Sequence, residues 1–338
     1  MKILVTGNLG YIGSVLTEVL TQKGFEVTGF DSGYFEDCSL IKVKKLKKQI
    51  YRDIRKIDYK DIEGHDSIIH LAALSNDPLG EFNAKFTEEI NFLATVRIAT
   101  IAKKLGVKRF INISTQSIYG ISKVDSELDE YTSKKNPVTE YAKSKWKAEQ
   151  EIAKLKSNNF DIVTFRPATV FGASPRLRCD IVFNNFVGSA YTTGKIEIKS
   201  DGTPWRPVIH VKDLCSVLSS SLLIEKKIIS GKAYNVGVLN GNYTVKELAE
   251  SASKNIKNSK IFYSHEHNQD SRTYKVSFQN LYKDFDKYFK PEWNLDSGAK
   301  ELIIFFKKIN FSKFFFEGSK TNRLICLKDK ITKNQIIL

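Results

Sequence analysis

Tyr141 and Lys145 stand four residues apart in Tyr141-Ala142-Lys143-Ser144-Lys145, so on a helix they share one face. A tyrosine near its ordinary pKa of about 10 is a poor base at neutral pH, and a neighbouring ammonium favours its anion. Such a pair could take the proton of a hydroxyl whose carbon is being oxidised. Spacing alone does not single it out, because Tyr119/Lys123, Tyr131/Lys135 and Tyr191/Lys195 repeat it. Tyr119 is followed by Gly120, Tyr131 lies just before Asn136-Pro137, and the Tyr191 pair encloses Gly194. Only Tyr141 and Lys145 sit inside a convincing helical pattern.

The second chemical feature is Thr6-Gly7-Asn8-Leu9-Gly10-Tyr11-Ile12-Gly13, a glycine turn that follows an apolar run and opens a helical one. Glycines here allow a tight turn, let backbone N–H groups approach a pyrophosphate, and let helix and strand pack closely. Gly7, Gly10, Tyr11 and Ile12 are its candidate cofactor contacts. Asp31 falls about twenty residues on, at the end of a second apolar run, where a carboxylate can accept from ribose hydroxyls. With no arginine adjacent in sequence to neutralise it, Asp31 would repel a 2′-phosphate. The expected cofactor is NAD.

These features need a scaffold, and the first half of the chain supplies its pattern. Apolar β-rich runs at Lys2–Thr6, Glu26–Phe30, Asp66–Ala72, Lys108–Ile113 and Phe160–Arg166 alternate with helical spacing at Tyr11–Lys23, Thr87–Leu105 and Val138–Ser157. Strands and helices in alternation predict an α/β, Rossmann-like, doubly wound parallel sheet. We expect an NAD-binding domain over residues 1–166 with a returning segment near 207–237, interleaved with a smaller α/β substrate-binding lobe over 167–309. A basic extension, 310–338, follows and is read as packed. Ser75-Asn76-Asp77 falls past the end of a strand, where such sheets place ligands, so Ser75 is a candidate substrate contact.

Composition narrows the field further. At 338 residues with 41% hydrophobic content the chain is globular, and no run approaches the roughly 20 apolar residues of a membrane span. The N-terminus enters its glycine turn too soon for a signal peptide, so the cytoplasm is the expected location. Four cysteines without Cys-x-x-Cys spacing read as reduced thiols. A net charge of +15 concentrates in Lys42 to Lys60 and the C-terminal tail, without the interleaved aromatics of a nucleic-acid groove, and no nucleic-acid partner is expected. His265-Glu266-His267 lacks a third ligand at metal-site spacing and reads as a solvated loop.

Taken together, the chain resembles the extended short-chain dehydrogenase/reductase family, within it the nucleoside-diphosphate-sugar epimerases and dehydratases. The resemblance covers roughly residues 1–308. It rests on Thr6-Gly7-x-x-Gly10-x-x-Gly13, Asp31, Asp53-Ile54, His70-Leu71-Ala72-Ala73, Ser114-Thr115-Gln116-Ser117-Ile118-Tyr119-Gly120, Tyr141-x-x-x-Lys145 and Arg166-Pro167-Ala168-Thr169-Val170-Phe171-Gly172. It implies that Asp53 and Ile54 contact the adenine, and that Leu71, Ala72 and Ala73 line the cofactor. Thr115 falls on the active-site Ser or Thr, whose hydroxyl meets the reacting sugar oxygen, and Asn91 on a family asparagine. Arg206, in Asp201-Gly202-Thr203-Pro204-Trp205-Arg206, would hold the nucleotide diphosphate, with Arg272 as a second diphosphate arginine and Asn184 on the substrate. The Arg176-Leu177-Arg178 loop lies near the same cleft. A homodimer through Thr87–Leu105 and Val138–Ser157 is inherited from the same likeness, as is a role in surface polysaccharide synthesis.

Within that family, 4,6-dehydratases carry an acid two residues before the tyrosine of the Tyr-Gly pair, where this chain has Ser117, preceded by Gln116. Neither serves readily as a general acid. The expected activity is redox-neutral epimerisation at C4 of a nucleoside-diphosphate sugar through a transient keto-sugar, ahead of dehydratase, decarboxylase or 4-keto reductase. An enzyme is favoured over a nucleotide sensor or scaffold of the same fold because Thr115, Tyr141 and Lys145 are all present.

Overall fold

Along Lys2–Thr6, Ile3 and Val5 are buried on one side of the strand and Leu4 on the other, so both faces of this strand lie under packed helices. The computed structural model describes residues 1–122, 126–264, 273–333 and 335–336. Its strands are β1 (Lys2–Thr6), β2 (Glu26–Asp31), β3 (Lys48–Tyr51), β4 (Ser67–His70), β5 (Arg109–Ile113), β6 (Asp161–Pro167), β7 (Thr169–Phe171), β8 (Lys195–Ile198), β9 (Trp205–His210), β10 (Ala233–Val236), β11 (Asn242–Thr244) and β12 (Lys260–Tyr263). Seven of them form one sheet in the order β10-β6-β5-β4-β1-β2-β3, with every pairing parallel. The chain is therefore α/β and Rossmann-like, as expected.

Helices Tyr11–Gln22 and Val211–Ser220 cover one face of the sheet through Leu16, Leu20, Leu214 and Leu218. The other face is covered by Ala94–Lys104 and Glu140–Ala153, which bury Ile98, Ala102 and Ile152. The expected helix Thr87–Leu105 is interrupted. Its first part, Ala84–Glu88, passes into a π-turn at Glu89–Leu93 before the α-helix resumes. That wider turn carries Asn91, whose side chain accepts from Leu74 N (2.9 Å) and donates to Leu74 O (3.2 Å). It thereby secures the segment that follows β4.

Two smaller sheets stand beside the large one, β11-β9-β7 and β12-β8. β3 falls within the lysine-rich stretch 42–60, at the outer edge of the large sheet, where lysine discourages pairing with another chain. The chain returns at β10, which pairs with β6 and places the C-terminal strand of the sheet at its opposite edge. All four cysteines are free and buried. Among the described residues no helix is long and apolar enough to cross a membrane.

A buried ion pair stitches β5 to β6. Arg109 meets Asp161 at 3.2 Å and also donates to the carbonyls of Ser221 and Ile224. Removing one partner of a buried pair strands the other charge. Asp161→Ala is expected to lower the unfolding free energy by about 3–5 kcal/mol, measured by urea denaturation; a loss under about 1 kcal/mol would contradict this reading.

Candidate active site

The site forms where the carboxyl ends of β1 and β4 meet. Gly7 turns with φ +74°, and a Cβ on it would lie 2.6 Å from the backbone N of Ala72. A Cβ on Gly13 would lie 2.2 Å from the Gly7 carbonyl oxygen. Only glycine fits at both places. Here the N-terminus of helix Tyr11–Gln22, whose first N–H groups lack intrahelical partners, faces a cleft of about 1190 Å³.

At one end of the cleft lie Asp31, Tyr34, Phe35, Asp53 and Ile54; Gly7, Gly10, Tyr11, Ile12, Leu71, Ala72 and Ala73 line its middle. The Asp31 carboxylate accepts from Gly33 N (2.8 Å) on one oxygen and Leu9 N (3.1 Å) on the other. Burial raises its pKa against these two bonds. Its remaining lone pairs can accept from ribose hydroxyls. Asp53 is oriented by Arg55 and by the Tyr34 hydroxyl, which donates to it at 2.7 Å. The glycine turn, the acid and the length of the cleft fit a dinucleotide laid from Asp31 toward Tyr141. Arg176, distant from Asp31 in sequence, lies within its electrostatic reach. The absence of an arginine nearby therefore holds along the chain but not in space. Arg176 donates to the Phe35 and Glu36 carbonyls.

At the other end stand Thr115, Tyr141 and Lys145. Thr115 follows β5 and accepts from Ser117 N at 3.1 Å, which fixes its hydroxyl. Thr139 caps helix Glu140–Ala153, placing Tyr141 in its first turn and Lys145 one turn on. Lys145 is only 3% exposed and donates to the Ile113 carbonyl at 2.8 Å. Burial brings its pKa down to about 8, with Glu149 pulling the other way. Tyr141 is pushed up to about 12 by burial, partly offset by a hydrogen bond with Thr115. At neutral pH the protein's own groups therefore hold this phenol protonated. Beneath them Glu149 and Arg166 form a buried pair at 2.7 Å; Arg166 also donates to the Tyr119 hydroxyl, which in turn donates to Asn235.

Ser75 lines the cleft and its hydroxyl accepts from Arg178 at 2.9 Å. Arg178 grips Asp180 with two nitrogens, at 2.8 and 2.9 Å. Burial pushes the Asp180 carboxyl up, but Arg178 outweighs this and holds it below the usual range. Asn184 is placed otherwise than expected. It is wholly buried, accepting from Gly172 N and donating to Arg178 O and the Tyr11 hydroxyl. Its neighbour Asn185, one helical step round, lines the cleft. Arg206 lines the cleft beside Trp205. Arg272 and His265-Glu266-His267 lie outside the described residues. Among those described, no group of three His, Cys, Asp or Glu could hold a metal ion. Tyr34, Phe35 and Arg323 also line the cleft, and no local motif announces them.

A parallel sheet of this order with a glycine turn at the carboxyl ends of its strands is a dinucleotide-binding fold, and comparison with known proteins sharpens the class. The model of the NAD dependent epimerase/dehydratase family matches residues 3–237, and the chain belongs to that family. Its cofactor is accordingly NAD. It is 27% identical over 226 residues to a UDP-glucuronic acid decarboxylase 1 of Danio rerio, covering 65% of this chain and 53% of that protein. It is 27% identical over 267 residues to the dTDP-D-glucose 4,6-dehydratase of Homo sapiens, covering 76% and 74%. The chain thus spans about half the length of the decarboxylase it matches. Among solved structures, a UDP-glucose 4-epimerase from Thermotoga maritima with UDP-glucose superposes with a TM-score of 0.77 at 21% identity, over 91% of this chain and 99% of that one. A UDP-glucuronic acid 4-epimerase from Bacillus cereus with UDP-glucuronic acid and NAD gives 0.76 at 23%, over 91% and 100%.

The buried Lys145 charge has a thermodynamic consequence. The unfolded chain keeps this proton up to about pH 10.5 and the folded chain releases it near 8, so the cost is full below pH 8 and fades between the two values. Lys145→Met, with its Ile113 bond lost, is expected to raise the unfolding free energy at pH 7 by about 1–3 kcal/mol, a gain that shrinks toward pH 10.5. Urea titrations at both pH values measure it; a variant less stable than wild type at pH 7 would refute the assignment.

Proposed function

We propose that the protein is an NAD-dependent nucleoside-diphosphate-sugar epimerase acting at C4 in a redox-neutral cycle. The observation that carries this is the pairing of an intact Thr115, Tyr141 and Lys145 with the uses to which nearby acid and amide groups are already put. Gln116 and Ser117 stand where a dehydratase would need an acid. The Gln116 amide donates to the Arg166 carbonyl at 3.0 Å, and Ser117 donates its backbone N–H to Thr115. Asp180, a carboxylate of the cleft, is held ionised by Arg178 and so is a poor proton donor. A second cleft carboxylate, Asp77, accepts from the Thr139 hydroxyl.

NAD, when bound, supplies the acceptor and then the donor of the hydride. Thr115 orients the sugar's C4 oxygen toward Tyr141. Tyr141 takes the C4 hydroxyl proton as that carbon loses its hydride, and returns the proton when hydride comes back to the opposite face. Proton and electron pair both balance, and no external reductant is consumed. Because burial holds Tyr141 protonated, it acts as a base only with positive charge beside it, which the Lys145 ammonium and an oxidised nicotinamide provide together. Arg206 is the candidate for the sugar nucleotide's diphosphate through its planar donor fork. Ser75 and Asn185 border the space left for the sugar. A homodimer using helices Ala94–Lys104 and Glu140–Ala153 is proposed on family likeness.

Incubation with UDP-glucose, UDP-N-acetylglucosamine and UDP-glucuronate, with catalytic NAD, tests the reading: interconversion at C4 is expected without net NADH. A 4-keto product, loss of carbon dioxide, or stoichiometric NADH consumption, each without C4 interconversion, would overturn it. Tyr141→Phe is expected to cut turnover about 10²- to 10⁴-fold with the fold unchanged by circular dichroism.

A further inference from the structure

We propose that Arg323, delivered by the C-terminal extension, is a cofactor contact that reads the negative charge of the dinucleotide's diphosphate. Arg323 opens the helix Arg323–Thr332 and lines the cleft, yet it is 3% exposed. Its guanidinium donates to two backbone carbonyls, those of Arg176 (2.7 Å) and Lys320 (3.2 Å). Among the described residues no carboxylate lies within ion-pair distance of it. The neighbouring Asp180 is already gripped by Arg178, whose own charge repels that of Arg323. The Cys38 thiol and Asp180 also favour its charge, but a buried cation without an ion pair remains costly, and one facing a ligand cleft is relieved by an anionic ligand.

A second observation points the same way. Arg176 is 2% exposed, bonds the carbonyls of Phe35 and Glu36, and its Nε has no partner. Arg176, whose backbone carbonyl Arg323 bonds, is thus a second buried guanidinium without an ion pair, although it does not itself line the cleft. The rim at Arg323 lies between the two ends of the cleft, with Asp31 and Phe35 on one side of Arg323 and Arg178, which bonds Ser75, on the other. Arg323 lies 5.6 Å from the Phe35 ring, in the segment that follows Asp31. The position is held firmly: Cys179 N donates to Thr321 O at 3.0 Å, the Cys38 thiol meets Ser319 O, and Leu327 is fully buried in the same apolar cluster as Ile54. The extension lies beyond the family match, which ends at residue 237, and the solved structures compared above leave about a tenth of this chain without a counterpart.

The test is binding of NAD, ADP-ribose and adenosine to the full chain by calorimetry, for wild type, Arg323→Ala, Arg323→Gln and Arg323→Lys. Loss of one charge-assisted contact should weaken NAD and ADP-ribose about 10- to 100-fold in Arg323→Ala and Arg323→Gln, leave adenosine within about twofold, and be partly restored in Arg323→Lys. Arg323→Gln keeps amide donors for the two carbonyls and so serves if Arg323→Ala does not fold. The proposal falls if NAD affinity stays within about twofold, if adenosine weakens in step with NAD, or if UDP-glucose affinity drops while NAD affinity does not. Failure of wild type to bind NAD would instead strike the cofactor assignment itself.

Discussion

Backbone meets backbone where Gly7 turns beneath Ala72, and the shape of the cleft follows from that contact. Any side chain at Gly7 would push the ends of β1 and β4 apart, and one at Gly13 would lift the helix off the turn. Because both are glycine, the helix N-terminus, the carboxylate of Asp31 and the Leu71–Ala73 segment share one space. The parallel order of the sheet then carries Thr115, at the end of β5, to the same edge. Ligand binding at the carboxyl ends of the strands, beside β1 where the order reverses, is what such a topology provides.

Charge burial is the second organising constraint. Lys145 is kept from water by the helix that presents it, and Glu149, one turn further along that helix, is neutralised by Arg166 on β6. Arg166 reaches Tyr119, and Tyr119 reaches Asn235 on β10. Helix Glu140–Ala153 is thereby tied to a strand that comes late in the chain. Rigid support for Tyr141 and Lys145 therefore depends on residues far from the cleft, and a site held through buried polar bonds keeps its geometry better than one on a loop.

Much of this was legible in the residues because parallel strands buried on both faces read as apolar runs, and because the glycine turn and the Tyr141/Lys145 helix are local patterns. β3 was not, since Lys-Gln-Ile-Tyr at an exposed edge carries no apolar run. The π-turn at Glu89–Leu93 hides inside ordinary helical spacing. Asn184 and Asn185 differ by one helical step, and only packing decides which one faces the core. Arg323 belongs to a segment whose position is set by tertiary contacts, so nothing in its neighbourhood marks it as a cleft residue, whereas the loop that carries Arg176 was expected near the cleft. Arg176 beside Asp31 also shows that chain distance is a poor guide to charge environment.

The adjacency of β6 and β10 bears on how a fold of this kind diversifies. Seen from the large sheet, residues 168–232 are an excursion whose two ends lie side by side, although they carry Arg178, Asp180, Asn185 and Arg206. Its residues 211–220 form the helix that covers the sheet, so it is the part before them, 168–210, whose lengthening or replacement would leave the strand order untouched, and that end of the cleft could change over evolutionary time while the glycine turn stays as it is. Among the bonds that cross from it, Tyr11 to Gly172 and Arg178 to Ser75 mark where a graft at the cleft would have to be rejoined.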